Sequence, residues 1–246
     1  MAVLTSIPAY VMSCFRLPKS LIAEINSILA GFWWVGNNER RCLQWKSWSF
    51  LCRPKSLGGM GFRCLASFNS TLLAKQAWRL VSRPDSLVAV VFRARSLSLC
   101  WSSIFSSRET ISRGSRISVG SGSSIRIWTD HWLLRPSSFR VLAPRPARMT
   151  PKFVSDLLLP SGRGWDADLI SSLFPLVDVA LILSIPLGRG SLGDRWVWHY
   201  SISGLFLVRS AYHLIHLSDG PSASGGPLGW NFIWKAVVPP HIRVFL

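Results

Sequence analysis

Apolar residues recur at helical spacing early in the chain. Leu21, Ile25, Ile28 and Phe32 form a stripe, and Ile22 and Leu29 broaden it. Pro18 suits the first turn of that helix, and Gly36 and Asn37 predict its stop. A second helical pattern runs through FNSTLLAKQAWRLVSR, where Leu65, Phe68, Leu72, Leu73, Ala77 and Leu80 supply the apolar side. Lys75, Arg79 and Arg83 recur every fourth residue on another face. Pro84 ends the pattern. DSLVAVVFRAR, FVSDLLL and DADLISSLF read as short helices, with Asp166 placed as an N-cap. SAYHLIH reads as another, capped by Ser210.

Two stretches alternate instead. In RISVGSGSSIRIWTDHW, Ile117 and Val119 alternate with polar residues, GSGSS supplies a turn, and Ile125 and Ile127 alternate again. RWVWHY, a SISG turn and LFLV repeat the pattern. Both predict β-hairpins. Residues 136–151 are rich in Pro and Arg and read as a linker. LGRGSLG reads as a flexible joint and SDGPSASGGPLG as a loop. The fold class expected is α+β, mainly α, with two small β-hairpins. No repeat of fixed period is visible.

Composition sharpens this picture. The chain has 246 residues, 49% of them hydrophobic, which is enough for a real core and argues against disorder. Lys and Arg number 28 against 11 Asp and Glu, a formal charge of +17. Such an excess favours a polyanionic partner. The 13 tryptophans offer core volume and, secondarily, stacking faces for bases. The five cysteines are odd in number, contain no Cys-x-x-Cys pair, and fit a reducing compartment better than a disulfide framework or a zinc site. The expectation is a nuclear or cytoplasmic protein with no signal peptide and no membrane-spanning helix.

Candidate chemistry is sparse. Metal-dependent nucleotidyl transfer and hydrolysis use clustered carboxylates. Here the closest acidic pair is Asp166 and Asp168 at a helix start, where capping accounts for both. No Walker-type phosphate loop and no nucleophile elbow occurs. His213 and His216 stand three apart on a helix with His199 nearby in sequence, but no fourth ligand is close, so they read as ordinary surface or core histidines. GGMGFR lacks the flanking strand and helix of a dinucleotide fingerprint. Its glycines suit a tight turn, and the flanking Arg53, Lys55 and Arg63 suit phosphate contact. Lys75, Arg79 and Arg83 read either as a solvated basic face or as a phosphate-contacting stripe.

The segments IPAYVMSCFRLPKSLIAEINSILAGFWW, WKSWSFLCRPKSLGGMGFRCLASFNSTLLAKQAWRL and IRIWTDHWL resemble the region just after the polymerase palm in plant LINE-type, non-LTR retrotransposon reverse transcriptases. DRWVWHYSISGLFLVRSAYHLI and WNFIWKAVVPPHIRVFL resemble the opening of the zinc-binding domain that follows in those polyproteins. The likeness runs through most of the chain in order and thins between about residues 97 and 118 and in the Pro/Arg linker. The residues that carry it are Trp45, Trp48, Pro54, Lys55, Gly58, Gly59, Gly61, Phe62, Asn69, Lys75, Trp78, Trp128, Asp130, Trp132, Trp196, Gly204, Ser210 and Tyr212. The family's aromatic-Ala-Asp-Asp polymerase motif has no match in this sequence, and its zinc ligands lie downstream of the residues matched. The resemblance implies a thumb-like helical segment over 1–95, a connector over 96–190 and the start of a zinc-binding domain over 191–246, truncated at both ends.

The expectations that follow are specific. The chain is a non-catalytic fragment of a retrotransposon polyprotein that contacts RNA or DNA without sequence preference, through Arg53, Lys55, Arg63, Lys75, Arg79 and Arg83. It holds no catalytic residue, no metal and no cofactor. Two other readings are a decayed retroelement product without function and a basic peripheral membrane protein. The second is weakened because the polar face of the helix over 21–32 carries few basic residues.

Overall fold

The computed structural model describes residues 8–35, 44–94, 98–135, 138–144, 151–160, 164–187 and 193–218. The predicted helix stop at Gly36 and Asn37, most of the joint at 187–193, the loop from residue 219 and the apolar stretch after it lie outside the described residues.

The helices in chain order are α1 (Ala9–Cys14), α2 (Lys19–Val35), α3 (Trp48–Leu51), α4 (Leu65–Ser82), α5 (Leu87–Ala94), α6 (Leu99–Phe105), α7 (Arg108–Gly114), α8 (Ala167–Leu173), α9 (Leu176–Leu183) and α10 (Val208–Ser218). Short 3-10 turns occupy Lys55–Leu57 and Val154–Leu157. Strands β1 (Ser115–Ser118) and β2 (Arg195–Trp198) form one two-stranded antiparallel sheet. The chain is therefore mainly α with a small β component. No described helix is long and apolar enough to cross a membrane.

Two compact units result, each assembled from separated stretches of sequence. The first contains Met1–Gln76, Leu97–Ser107 and Tyr212–Leu246; the second contains Ala77–Ser96 and Arg108–Ala211.

In the first unit, α2 starts directly after Pro18, whose carbonyl accepts from Ile22 N (3.1 Å). The buried side of α2 is the line Ile22, Ile25 and Leu29, packed with Met12, Leu17, Leu65 and Phe68. Leu21, Ile28 and Phe32 of the predicted stripe are exposed, so the apolar arc is wider than the face that is buried. Asn69 of α4 ties the layer together. Its carbonyl oxygen accepts from Leu17 N (2.9 Å), and its amide donates to Met12 O (2.7 Å) and Phe15 O (2.8 Å).

In the second unit the core gathers Val119, Ile125, Ile127, Trp132, Leu133, Val154 and Leu157 with the inner faces of α8 and α9. The two expected hairpins do not form. β1 pairs with β2, in the register Ser115↔Trp198 through Ser118↔Arg195. Alternation marks β1 and β2 but says nothing of their partners. Residues 125–127 instead bridge to the segment near Phe153, with Ile127 N donating to Lys152 O (3.1 Å) and Val154 N to Ile125 O (2.9 Å). The SISG turn exists, with Gly204 at φ 70° and Trp198 N donating to Gly204 O (2.7 Å). The following LFLV forms no strand, because its valine already begins α10. Ser210 consequently lies inside α10 rather than at its cap. Its hydroxyl donates to Leu207 O (3.0 Å) and accepts from Trp198 Nε1 (2.8 Å). FVSDLLL forms a 3-10 turn, while Asp166 caps α8 as expected, accepting from Leu169 N (3.0 Å).

Carboxylates tie down the polar loops of this unit. Asp194 accepts from the backbone amides of Gly120, Gly122 and Ser124 and from the Ser124 hydroxyl, at 2.7–3.0 Å. These bonds hold its pKa below the usual carboxylate value against the opposing effect of burial. The fully buried Asp178 pairs with Arg135 (2.7 Å) and accepts from Leu142 N (2.9 Å) and Ala143 N (3.2 Å). Residues 138–143 of the predicted linker are thus anchored, with Phe139 buried in the left-handed region at φ 55°.

Candidate nucleic-acid interface

The basic loop over 51–63 begins with α3, capped by Ser47, whose hydroxyl accepts from Phe50 N (3.3 Å). Pro54 and the 3-10 turn then reverse the chain. Gly58 closes the turn at φ 80°, donating to Lys55 O (3.2 Å). Gly59 N donates to Pro54 O (3.1 Å) and Gly61 N to Arg53 O (2.8 Å), while Met60 N and Phe62 N both donate to Leu51 O (3.0 and 3.2 Å). A side chain at Gly59 would overlap the Arg53 carbonyl. The amides of this loop therefore satisfy the loop's own carbonyls. The glycines build a turn, and contact with an anion falls to the side chains.

Arg53 is half-buried, with its guanidinium 5.3 Å from the centroid of Phe50, over which Lys46 also lies at 4.9 Å. Arg63 is exposed and covers Phe68 at 4.3 Å. Lys55 is exposed. In such cation–aromatic contacts the ring engages the guanidinium while its N–H groups keep their capacity to donate to an anion. Trp48 stacks on Phe62 at 5.4 Å beneath the loop.

Lys75 and Arg79 are exposed on α4, and Arg83 follows its end, also exposed. Leu65, Asn69, Leu73 and Trp78 of the same helix are buried. Lys75 and Arg79 stand one turn apart on α4 and Arg83 follows its last residue; the glycine loop and Lys75 belong to the first unit, Arg79 and Arg83 to the second.

The remaining polar features are structural in form. Cys64 N donates to the Tyr212 hydroxyl (2.9 Å), and Tyr212 stacks on His216 at 5.2 Å. Burial raises the Tyr212 phenol to about 12 and the Cys52 thiol to about 12, Cys64 adding to both and the Cys64 amide opposing in the phenol's case. His216 Nε2 lies 3.2 Å from Cys52 O, and His213 is exposed. Among the described residues no three His, Cys, Asp or Glu side chains could hold one metal ion. Among the described residues, Trp48, Trp78, Trp128, Trp132, Trp165 and Trp198 lie in or against a core, while Trp45 and Trp196 are exposed. The anchoring roles of Asp178 and Asp194 have no local sequence signal, because the amides they bind are remote in sequence.

The chain matches no protein-family model, and no solved structure matches it. It is 36% identical over 144 residues to the "Uncharacterized mitochondrial protein AtMg00310" of Arabidopsis thaliana, covering 52% of this chain and 94% of that protein. The chain belongs to that family. It is also 31% identical over its whole length to the Arabidopsis thaliana "Putative ribonuclease H protein At1g65750", of which it spans 42%. AtMg00310 and its longer relative are typical of retroelement-derived plant sequences, and they support a retroelement origin for this family member.

Proposed function

We propose that this chain is a non-catalytic segment of a LINE-type retrotransposon reverse transcriptase polyprotein, spanning the region after the polymerase palm and the start of the zinc-binding domain. It contacts RNA or DNA through phosphates, weakly and without sequence preference. The observation that carries this reading is the formal charge of +17, with Lys75, Arg79 and Arg83 exposed beside one another on and just past α4. The non-catalytic reading is supported by the use made of the acids: Asp130, Asp156, Asp166, Asp178 and Asp194 all accept from backbone amides.

The test is a salt titration of binding to single-stranded RNA and to duplex DNA. Log affinity should fall linearly with log salt, by about 0.7–0.9 per phosphate neutralised. Changing Lys75, Arg79 and Arg83 to glutamine should weaken binding and make the slope shallower for every sequence tried. An unchanged slope would mark the stripe as a solvated face. A primer-extension assay with magnesium or manganese should give no template-dependent product; product would overturn the non-catalytic reading.

A further inference from the structure

The second unit contains a cation that neither of its described ion pairs includes. Arg116 of β1 is half-buried, and its Nε is shut off from solvent with no hydrogen-bond acceptor. The described ion pairs of this unit are Arg113–Glu109 (3.8 Å) and Arg135–Asp178 (2.7 Å), and Arg116 takes part in neither. A guanidinium stays charged at any ordinary pH, so its burial is costly unless an anion compensates it. Burial alone is what lowers its pKa; no carboxylate opposes that effect.

The sheet then collects more positive groups beside it. Arg116 pairs with Val197, and His199 N donates to Gly114 O (2.8 Å), which continues the ladder one step past β2. Two-residue alternation therefore puts Arg116, Arg195 and His199 on one face, with Arg116 and His199 as diagonal neighbours within reach of long side chains. The Phe139 ring lies 5.0 Å from His199 and 6.4 Å from His131. Burial first, and then Arg140 next to Phe139, hold the His131 imidazole below the ordinary value, as burial and then Arg116 do for His199. The left-handed Phe139 is fixed by Trp132 N and Leu133 N, which donate to its carbonyl (2.8 and 2.9 Å).

We infer that Arg116 and His199 form a phosphate-binding site on this face of the β1–β2 sheet, separate from the glycine loop and the α4 stripe. The planar guanidinium fork matches two phosphoryl oxygens, and the imidazole supplies a further N–H donor. The source of the phosphoryl group, free phosphate or a nucleic-acid backbone, rests in part on the function proposed above, and the experiment separates the two.

The full chain is unfolded thermally at constant ionic strength while inorganic phosphate replaces chloride. The midpoint of the parent should rise with the logarithm of phosphate concentration above the dissociation constant, by about 5 °C at a hundredfold excess. The variant Arg116→Gln should lose that logarithmic rise and keep only the shallow effect, linear in concentration, that phosphate has on any protein. In chloride that variant should be at least as stable as the parent, because it sheds an uncompensated buried charge. A merely structural arginine would give the reverse. His199→Gln, a second variant that leaves Arg116 in place, should shrink the rise without abolishing it. No logarithmic rise in the parent, an equal rise in Arg116→Gln, or failure of Arg116→Gln to fold each overturns the site. A parallel titration with a short single-stranded RNA separates the two readings. Phosphate binding without RNA binding leaves this site standing and removes the proposed function. RNA binding that ignores Arg116, with no phosphate effect, does the opposite.

Discussion

Asn69 shows how one side chain replaces several backbone partners. Its three hydrogen bonds fix the turn between α1 and α2 against α4, and its side chain is buried. Asn69→Ala leaves a buried amide and two carbonyls unpaired, which should cost about 2–4 kcal/mol in denaturant unfolding. Asn69→Asp should not rescue it, because a carboxylate cannot donate to Met12 O or Phe15 O. Histidines set a second residue-scale property. Burial first, then Arg140, keeps His131 below its ordinary 6.5, with Asp130 opposing; burial and Arg116 do the same for His199. The unfolded chain therefore binds these protons more readily than the folded one. Stability is complete above the unfolded value and is lost as the pH falls through about 6.5. The thermal midpoint of the parent should drop more steeply between pH 7 and pH 5.5 than that of a His131→Gln, His199→Gln double variant.

At the level of elements, the glycine loop separates two kinds of glycine. Gly59 is held against the Arg53 carbonyl, while Gly61 needs only its φ of 70°, since a side chain there would meet nothing closer than Lys55 Cγ at 3.9 Å. Gly59→Ala should cost about 1–3 kcal/mol or more through overlap, and Gly61→Ala about 1 kcal/mol through conformation alone. Equal losses in calorimetry would contradict the assignment. Elements whose cause is local were legible in the sequence: α2 after Pro18, α4 ending before Pro84, α8 behind Asp166. Elements whose cause is remote were not. Ile117 and Val119 alternate like a hairpin strand, yet the ladder partner of Ile117 is Trp196. The arginine and proline content around Phe139 reads as linker, yet Asp178 and the Phe139 ring fix that segment to the core. The exposed basic residues Lys75, Arg79 and Arg83 were visible from their spacing. The Arg116–His199 pair was not, because only the β1–β2 register brings it together.

Across the whole molecule, the excess of 28 basic over 11 acidic residues acts on stability as well as on partners. Like charges repel in the compact state, and salt screens them. Added sodium chloride should therefore raise the thermal midpoint over the same range in which it weakens RNA binding. A midpoint that falls with salt would mean attractive pairs outweigh the repulsion. The pairing of β1 with β2 carries a consequence for synthesis. A ribosome adds about 5–20 residues each second, so strand 115–118 emerges several seconds before strand 195–198 exists. During that interval its edge has no native partner, and the nascent chain is open to capture by other strands or by chaperones. Any transcript cut short before codon 195 makes that exposure permanent, and its product should accumulate as aggregate or be degraded rather than persist as a smaller folded protein.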